Sequence, residues 1–168
     1  MTLDALNKLL LPQLKEALRQ CCGAAAWVDG MCARFPVKDR VALFSAAADV
    51  WRQCTEADWK EAFAHHPQIG DLASLKQRFA ASASWAAGEQ AAVQEASEST
   101  LAALAEGNRQ YLEKFGYIFI VCATGRSAGE MLQLLNKRLP NTPEEEIGIA
   151  MAEQEKITKI RIEKLLSL

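Results

Sequence analysis

Two histidines occur in the 168 residues, and they are neighbours: His65 and His66, in the stretch FAHHPQIGD. An imidazole titrates near neutrality and can both give and take a proton, so one aimed into a cleft is a natural acid–base group. Most histidines do no such work, and a packed or surface side chain at a turn is the ordinary reading. Pro67 alters the weighing. It pushes the preceding residue out of helical geometry, so His66 is expected at a stiff bend from which its side chain can project. That favours His66 over His65, although spacing alone does not separate them.

Other residues could share the chemistry. Glu89 and Gln90 follow ASASWAA at the expected start of a helix, where the helix dipole favours a carboxylate; a solvated acid is the ordinary alternative. Arg161 lies in KITKIRIEKLL, where Ile157, Ile160 and Leu165 mark an apolar stripe. It either pairs with Glu163 or solvent, or offers a planar cation for two-point binding of a carboxylate or carbonyl. TGRSAGE, at 124–130, could rest an anion on a helix N-terminus but lacks the lysine and spacing of a phosphate loop. Cys21, Cys22, Cys32, Cys54 and Cys122 are odd in number, without a CxxC pair or a zinc-like histidine spacing. Neither a disulfide framework nor a metal site is expected, and a reducing compartment fits best. No nucleophilic Ser–His–acid order can be defended.

The elements that must position these groups read as helices. Apolar residues recur every three or four positions, as in Leu3, Leu6, Leu10, Leu14 and Leu18 or Val41, Phe44, Ala48 and Trp51. Thr55 with Asp58, Ser127 with Glu130, and Thr142-Pro143 with Glu145 supply start signals. Helices are expected near 3–10, 12–21, 24–34, 38–53, 56–64, 71–82, 87–104, 105–115, 127–138 and 143–166. The run from Gly116 to Gly125, containing YIFIVCA, is expected to be extended or irregular, because a lone strand would leave its backbone unpaired.

The expected fold is therefore all-α: a single compact domain of about eight to ten helices over residues 1–168. Half the residues are hydrophobic and 24% are charged, which fits a globular chain rather than a disordered or fibrous one. The net charge of −2 gives no broad attraction to nucleic acid or an anionic membrane. The N-terminus lacks the pattern of a secretory signal, no segment has the roughly 18 apolar residues of a membrane span, and KLLSL is not a peroxisomal tripeptide. A soluble cytoplasmic protein is expected.

Taken in order, HPQIG, GEQ, YLEKFGYIFIVCATGRS, EML...NKRLPNTPEEE and KITKIRI resemble the 2-oxo-4-hydroxy-4-carboxy-5-ureidoimidazoline (OHCU) decarboxylase family across almost the whole chain. The HPxIG turn and the KFGYIFIVCATGRS block are the specific parts. The resemblance implies an all-helical fold, commonly a homodimer. It also implies a cofactor-free reaction on a small molecule, releasing carbon dioxide and giving S-allantoin in urate breakdown. By motif position it makes His66 the catalytic histidine and places Pro67 beside the substrate. It matches Glu89 and Gln90 to an acid–amide pair, with Glu89 catalytic, and Arg161 to a substrate-binding arginine. Phe119, Ile120, Val121, Cys122 and Ala123 match a pocket-lining segment. Where the family often reads SxxEQ this chain has Ala86, so a hydroxyl contact there is absent or supplied by a neighbour such as Ser84.

The implied set suits the chemistry. Loss of carbon dioxide beside hydroxyl and ureido groups leaves electron density that a ring carbonyl or imine can accept. Arg161 and backbone N–H groups of 119–123 would hold the ring, Glu89 and Gln90 would orient the leaving carboxylate and hydroxyl, and His66 would donate the stereocentre's proton or relay it. Another cofactor-free lyase or hydrolase on the same fold, or a noncatalytic helical interaction module, are the alternatives.

Overall fold

The computed structural model describes the backbone of residues 1–67, 72–80 and 90–167, and the side chains of 1–67, 72–79 and 98–167. The described residues form nine helices and no strand. They are α1 (Leu3–Asn7), α2 (Leu11–Cys21), α3 (Ala25–Cys32), α4 (Arg40–Gln53), α5 (Glu56–Ala64), α6 (Leu72–Ala80), α7 (Gln90–Phe115), α8 (Ala128–Arg138) and α9 (Pro143–Leu165). None of them is long and apolar enough to cross a membrane.

All three start signals form. Thr55 with Asp58 and Ser127 with Glu130 close reciprocal capping boxes, and Thr142 exchanges hydrogen bonds with Glu145. The ends of the other described helices fall within three residues of expectation, but one division differs: the helices read at 87–104 and 105–115 are a single helix, α7, from Gln90 onward. No proline interrupts this stretch. Its Gly107 serves a close approach, since a Cβ there would lie 2.5 Å from Leu135 Cδ2 on α8.

The chain divides into two compact units. The first comprises Met1–His66, Ile120–Cys122 and Ile147–Leu168; the second comprises Pro67–Phe119 and Ala123–Glu146. In the first, α3 packs against α2, α4 and α5, around fully buried Trp27, Leu43 and Phe63. Tryptophans fasten its helices twice over, by apolar bulk and by the indole N–H. Trp27 donates to the Ala47 carbonyl at 3.0 Å, Trp51 to the Met151 carbonyl at 2.9 Å, and Trp59 to the Trp51 carbonyl at 3.2 Å.

In the second unit α7 packs against α6 and α8. Its buried centre is ionic. Glu146, 0% exposed, accepts from the Tyr111 hydroxyl, the Arg138 guanidinium and the Asn141 amide. Arg138, 6% exposed, also stacks over the Phe119 ring at 4.6 Å. A buried carboxylate survives only with such company.

The stretch from Gly116 to Gly125 is irregular, as expected, with no ladder of its own. Both end glycines have positive φ, 79° and 75°. Gly116 ends α7 by donating its N–H to the Leu112 carbonyl, the left-handed helix stop that glycine makes without steric cost.

Candidate functional site

His66 stands at the bend after α5. His65 caps that helix, and the His66 N–H still reaches the Phe63 carbonyl at 3.2 Å. The turn is held from beneath: a Cβ at Gly23 would lie 2.3 Å from the His65 ring, so only glycine leaves room for it. Pro67 follows, exposed, as the first residue of the second unit.

α9 supplies the partners. Gln154, Thr158 and Arg161 are spaced to share one helix face. Gln154 Oε1 lies 2.5 Å from His66 Nε2, and Gln154 Nε2 donates to Thr158 Oγ1 at 3.1 Å. One terminal nitrogen of Arg161 lies 3.4 Å from His66 Nδ1, and the other reaches the Cys21 carbonyl, also at 3.4 Å, in the last turn of α2 where a cation is favoured. The Glu163 pairing considered for this arginine is not found among the described residues.

Electrostatics follow from this setting. Burial pushes the His66 imidazole below its ordinary value near 6.5; the Gln154 hydrogen bond opposes that, and Arg161 and His65 add to it. His66 is therefore neutral at neutral pH, a group ready to accept a proton. Burial pushes the nearby thiols the other way, Cys21 to about 11 and Cys22 to about 12, which leaves them as inert packing.

The pocket-lining expectation for 119–123 divides between the units. Ile120, Val121 and Cys122 belong to the first, the unit of His66 and Arg161; Phe119 and Ala123 belong to the second. The Cys122 N–H donates to Glu153 Oε2 on α9 at 2.8 Å, so that amide is engaged by protein rather than open to a ligand. Glu89, Ala86 and Ser84 lie outside the described residues, and of Gln90 only the backbone is described, as the first residue of α7.

Sequence reasoning missed Gln154, Thr158 and Glu153. A signal existed. The residues of α9 buried in the first unit are Ala150, Gln154, Thr158 and Ile162, a strict four-residue register, whereas Ile157, Ile160 and Leu165 are only half-buried. Two polar side chains inside an apolar row imply a partner that uses them.

Fold and site together define an all-helical protein with an acid–base group at its site, the half-buried His66 imidazole between an amide and a guanidinium. The chain belongs to the OHCU decarboxylase family, whose model matches residues 7–163. It is 40% identical over 156 residues to the uric acid degradation bifunctional protein TTL of Arabidopsis thaliana, a match covering 91% of this chain and 47% of that protein. It is 37% identical over 59 residues to the 2-oxo-4-hydroxy-4-carboxy-5-ureidoimidazoline decarboxylase of Amia calva, covering 35% of this chain and 34% of that one. The matched stretches thus span half or less of these relatives' length. Among solved structures, an OHCU decarboxylase crystallised in the presence of (S)-allantoin superimposes with a TM-score of 0.72 at 38% identity, covering 92% of this chain and 99% of that one.

Proposed function

We propose that this chain decarboxylates OHCU to (S)-allantoin in urate breakdown, with His66 as the proton-transfer residue. The observation that carries the reading is the half-buried imidazole of His66, held between the Gln154 amide at Nε2 and the Arg161 guanidinium at Nδ1. Support for the substrate comes from relatives that bear its name and from the similar structure obtained with (S)-allantoin.

The substrate's name puts hydroxyl and carboxyl on one ring carbon, the ureido group on the next, and one double bond in the ring. When the bond to the carboxylate breaks, its electron pair moves into the ring towards the imine nitrogen, which takes a proton from solvent, and carbon dioxide leaves. The hydroxyl proton then has to reach the ureido-bearing carbon from one face. A neutral imidazole takes a proton before it gives one, so His66 acts as a relay: it accepts the hydroxyl proton and returns it to carbon. Arg161 holds a ring oxygen or carboxylate as a forked donor. Pro67 and the 119–123 segment line the substrate, Glu89 and Gln90 orient the leaving carboxylate and hydroxyl, and beside Ala86 the family's usual hydroxyl contact is absent or supplied by a neighbour such as Ser84. The reading includes action without a cofactor, one functional domain over 1–168, a homodimer, and residence in the reducing cytoplasm, which the five free cysteines suit.

The test generates OHCU in situ from urate and follows optically active allantoin by circular dichroism. Wild-type protein should outpace spontaneous decay, and His66→Ala should lose ~10²–10⁴-fold in rate with its helical spectrum intact. No acceleration by the wild type, or full turnover by folded His66→Ala, sinks the reading.

A further inference from the structure

Arg161 is the one unambiguous group in the chain of contacts around His66, because a guanidinium can only donate. It faces Nδ1, so in the neutral ring Nδ1 carries the lone pair and the proton sits on Nε2. That N–H needs an acceptor, which Gln154 supplies through Oε1. With its oxygen so committed, the amide's Nε2 faces Thr158 and donates to it. The reverse amide orientation would put a donor against Nε2, force the proton to Nδ1, and set it against Arg161. Gln154 is 1% exposed and Thr158 5% exposed, so bulk water does not substitute for either partner. Beyond Thr158 stands the buried Cys22 thiol.

We propose that Gln154 is a positioning residue: its amide, oriented through Thr158, fixes the His66 proton on Nε2 and leaves Nδ1 as the nitrogen that exchanges protons with the substrate. The significance for turnover rests on the reading of His66 as the proton-transfer residue; the tautomer does not. An imidazole pinned at Nε2 keeps one ring orientation throughout the relay, so the lone pair that accepts the hydroxyl proton points where the carbon will need it. Arg161 occupies that direction in the free enzyme through a long contact, which a substrate held by the same guanidinium can displace.

The chain's two histidines make the test direct. In protein labelled with 15N-histidine, long-range 1H–15N correlation reports which ring nitrogen bears the proton, and His65→Asn assigns the remaining set to His66. Above the His66 titration, wild type should show Nε2 protonated and Nδ1 bare; a proton on Nδ1 overturns the proposal without any variant. Gln154→Met should give mixed tautomers, an acid limb of the rate profile moved to lower pH, and a kcat loss of about 10- to 100-fold, the scale of a misplaced reacting group, with KM nearly unchanged. Thr158→Val should mix the tautomers too, whereas Thr158→Ser should restore the wild-type pattern. Folded Gln154→Met with a pure Nε2–H signal, an unmoved acid limb and undiminished kcat overturns it. If the tautomers behave as expected while His66→Ala retains turnover, the reading of the reaction fails, and with it the positioning role in turnover, while the assignment of the tautomer to Gln154 stands.

Discussion

The depressed proton affinity of His66 has consequences for stability as well as turnover. Between about pH 6.5 and its lower folded value, the unfolded chain holds more protons at this residue than the folded one. Stability from this group is therefore present above pH 6.5 and lost as pH falls through that window. Urea titrations of wild type and His66→Gln should show a gap in midpoint that changes between pH 7.5 and pH 5, the wild type losing more on acidification; parallel curves would refute the assignment. Arg161 makes two contacts with two different nitrogens, and Arg161→Lys offers one point charge for both. That variant should raise KM more than it lowers kcat, and a saturation curve matching wild type would remove the residue from substrate binding. At this scale the bend at His66 was legible because proline writes it into the chain. Gln154 was not, since a glutamine between charged neighbours in EQEK looks solvated until its four-residue register with Ala150 and Ile162 is noticed.

Helices were the most legible elements, because caps and apolar periodicity are local. All three reciprocal start signals lie where Thr55, Ser127 and Thr142 put them, and the only redrawn division is inside α7. The fine facing of α9 was less legible, since its first turn serves one unit and the remainder another. The irregular stretch after α7 depends on a left-handed stop at Gly116, where a side chain would meet nothing within 4 Å. Steric crowding is thus absent, and Gly116→Ala isolates backbone strain. It should destabilise by about 1–2 kcal/mol, with Gly116→Asn milder, as read from urea midpoints; an unchanged midpoint for the alanine variant would show that the stop is not required.

For the whole molecule, the sequence revealed an all-helical class and hid the ionic centre of the second unit. Tyr111, Arg138, Asn141 and Glu146 are spread over 36 positions, and nothing in their spacing announces that one carboxylate serves them all. Removing that carboxylate strands a buried guanidinium, which typically costs about 3–5 kcal/mol. Glu146→Ala should therefore lose a large share of the protein's stability, and a chemical denaturation curve within 1 kcal/mol of wild type would count against the network. The tryptophans that fasten the first unit also act as spectroscopic labels. Trp27, Trp51 and Trp59 all belong to that unit, with the Trp51 and Trp59 rings 6.4 Å apart, while both tyrosines, Tyr111 and Tyr117, belong to the other. Once Trp85 is replaced by phenylalanine, indole emission and phenol absorbance become separate colours for the two halves. A single cooperative domain should fade in both colours at one temperature.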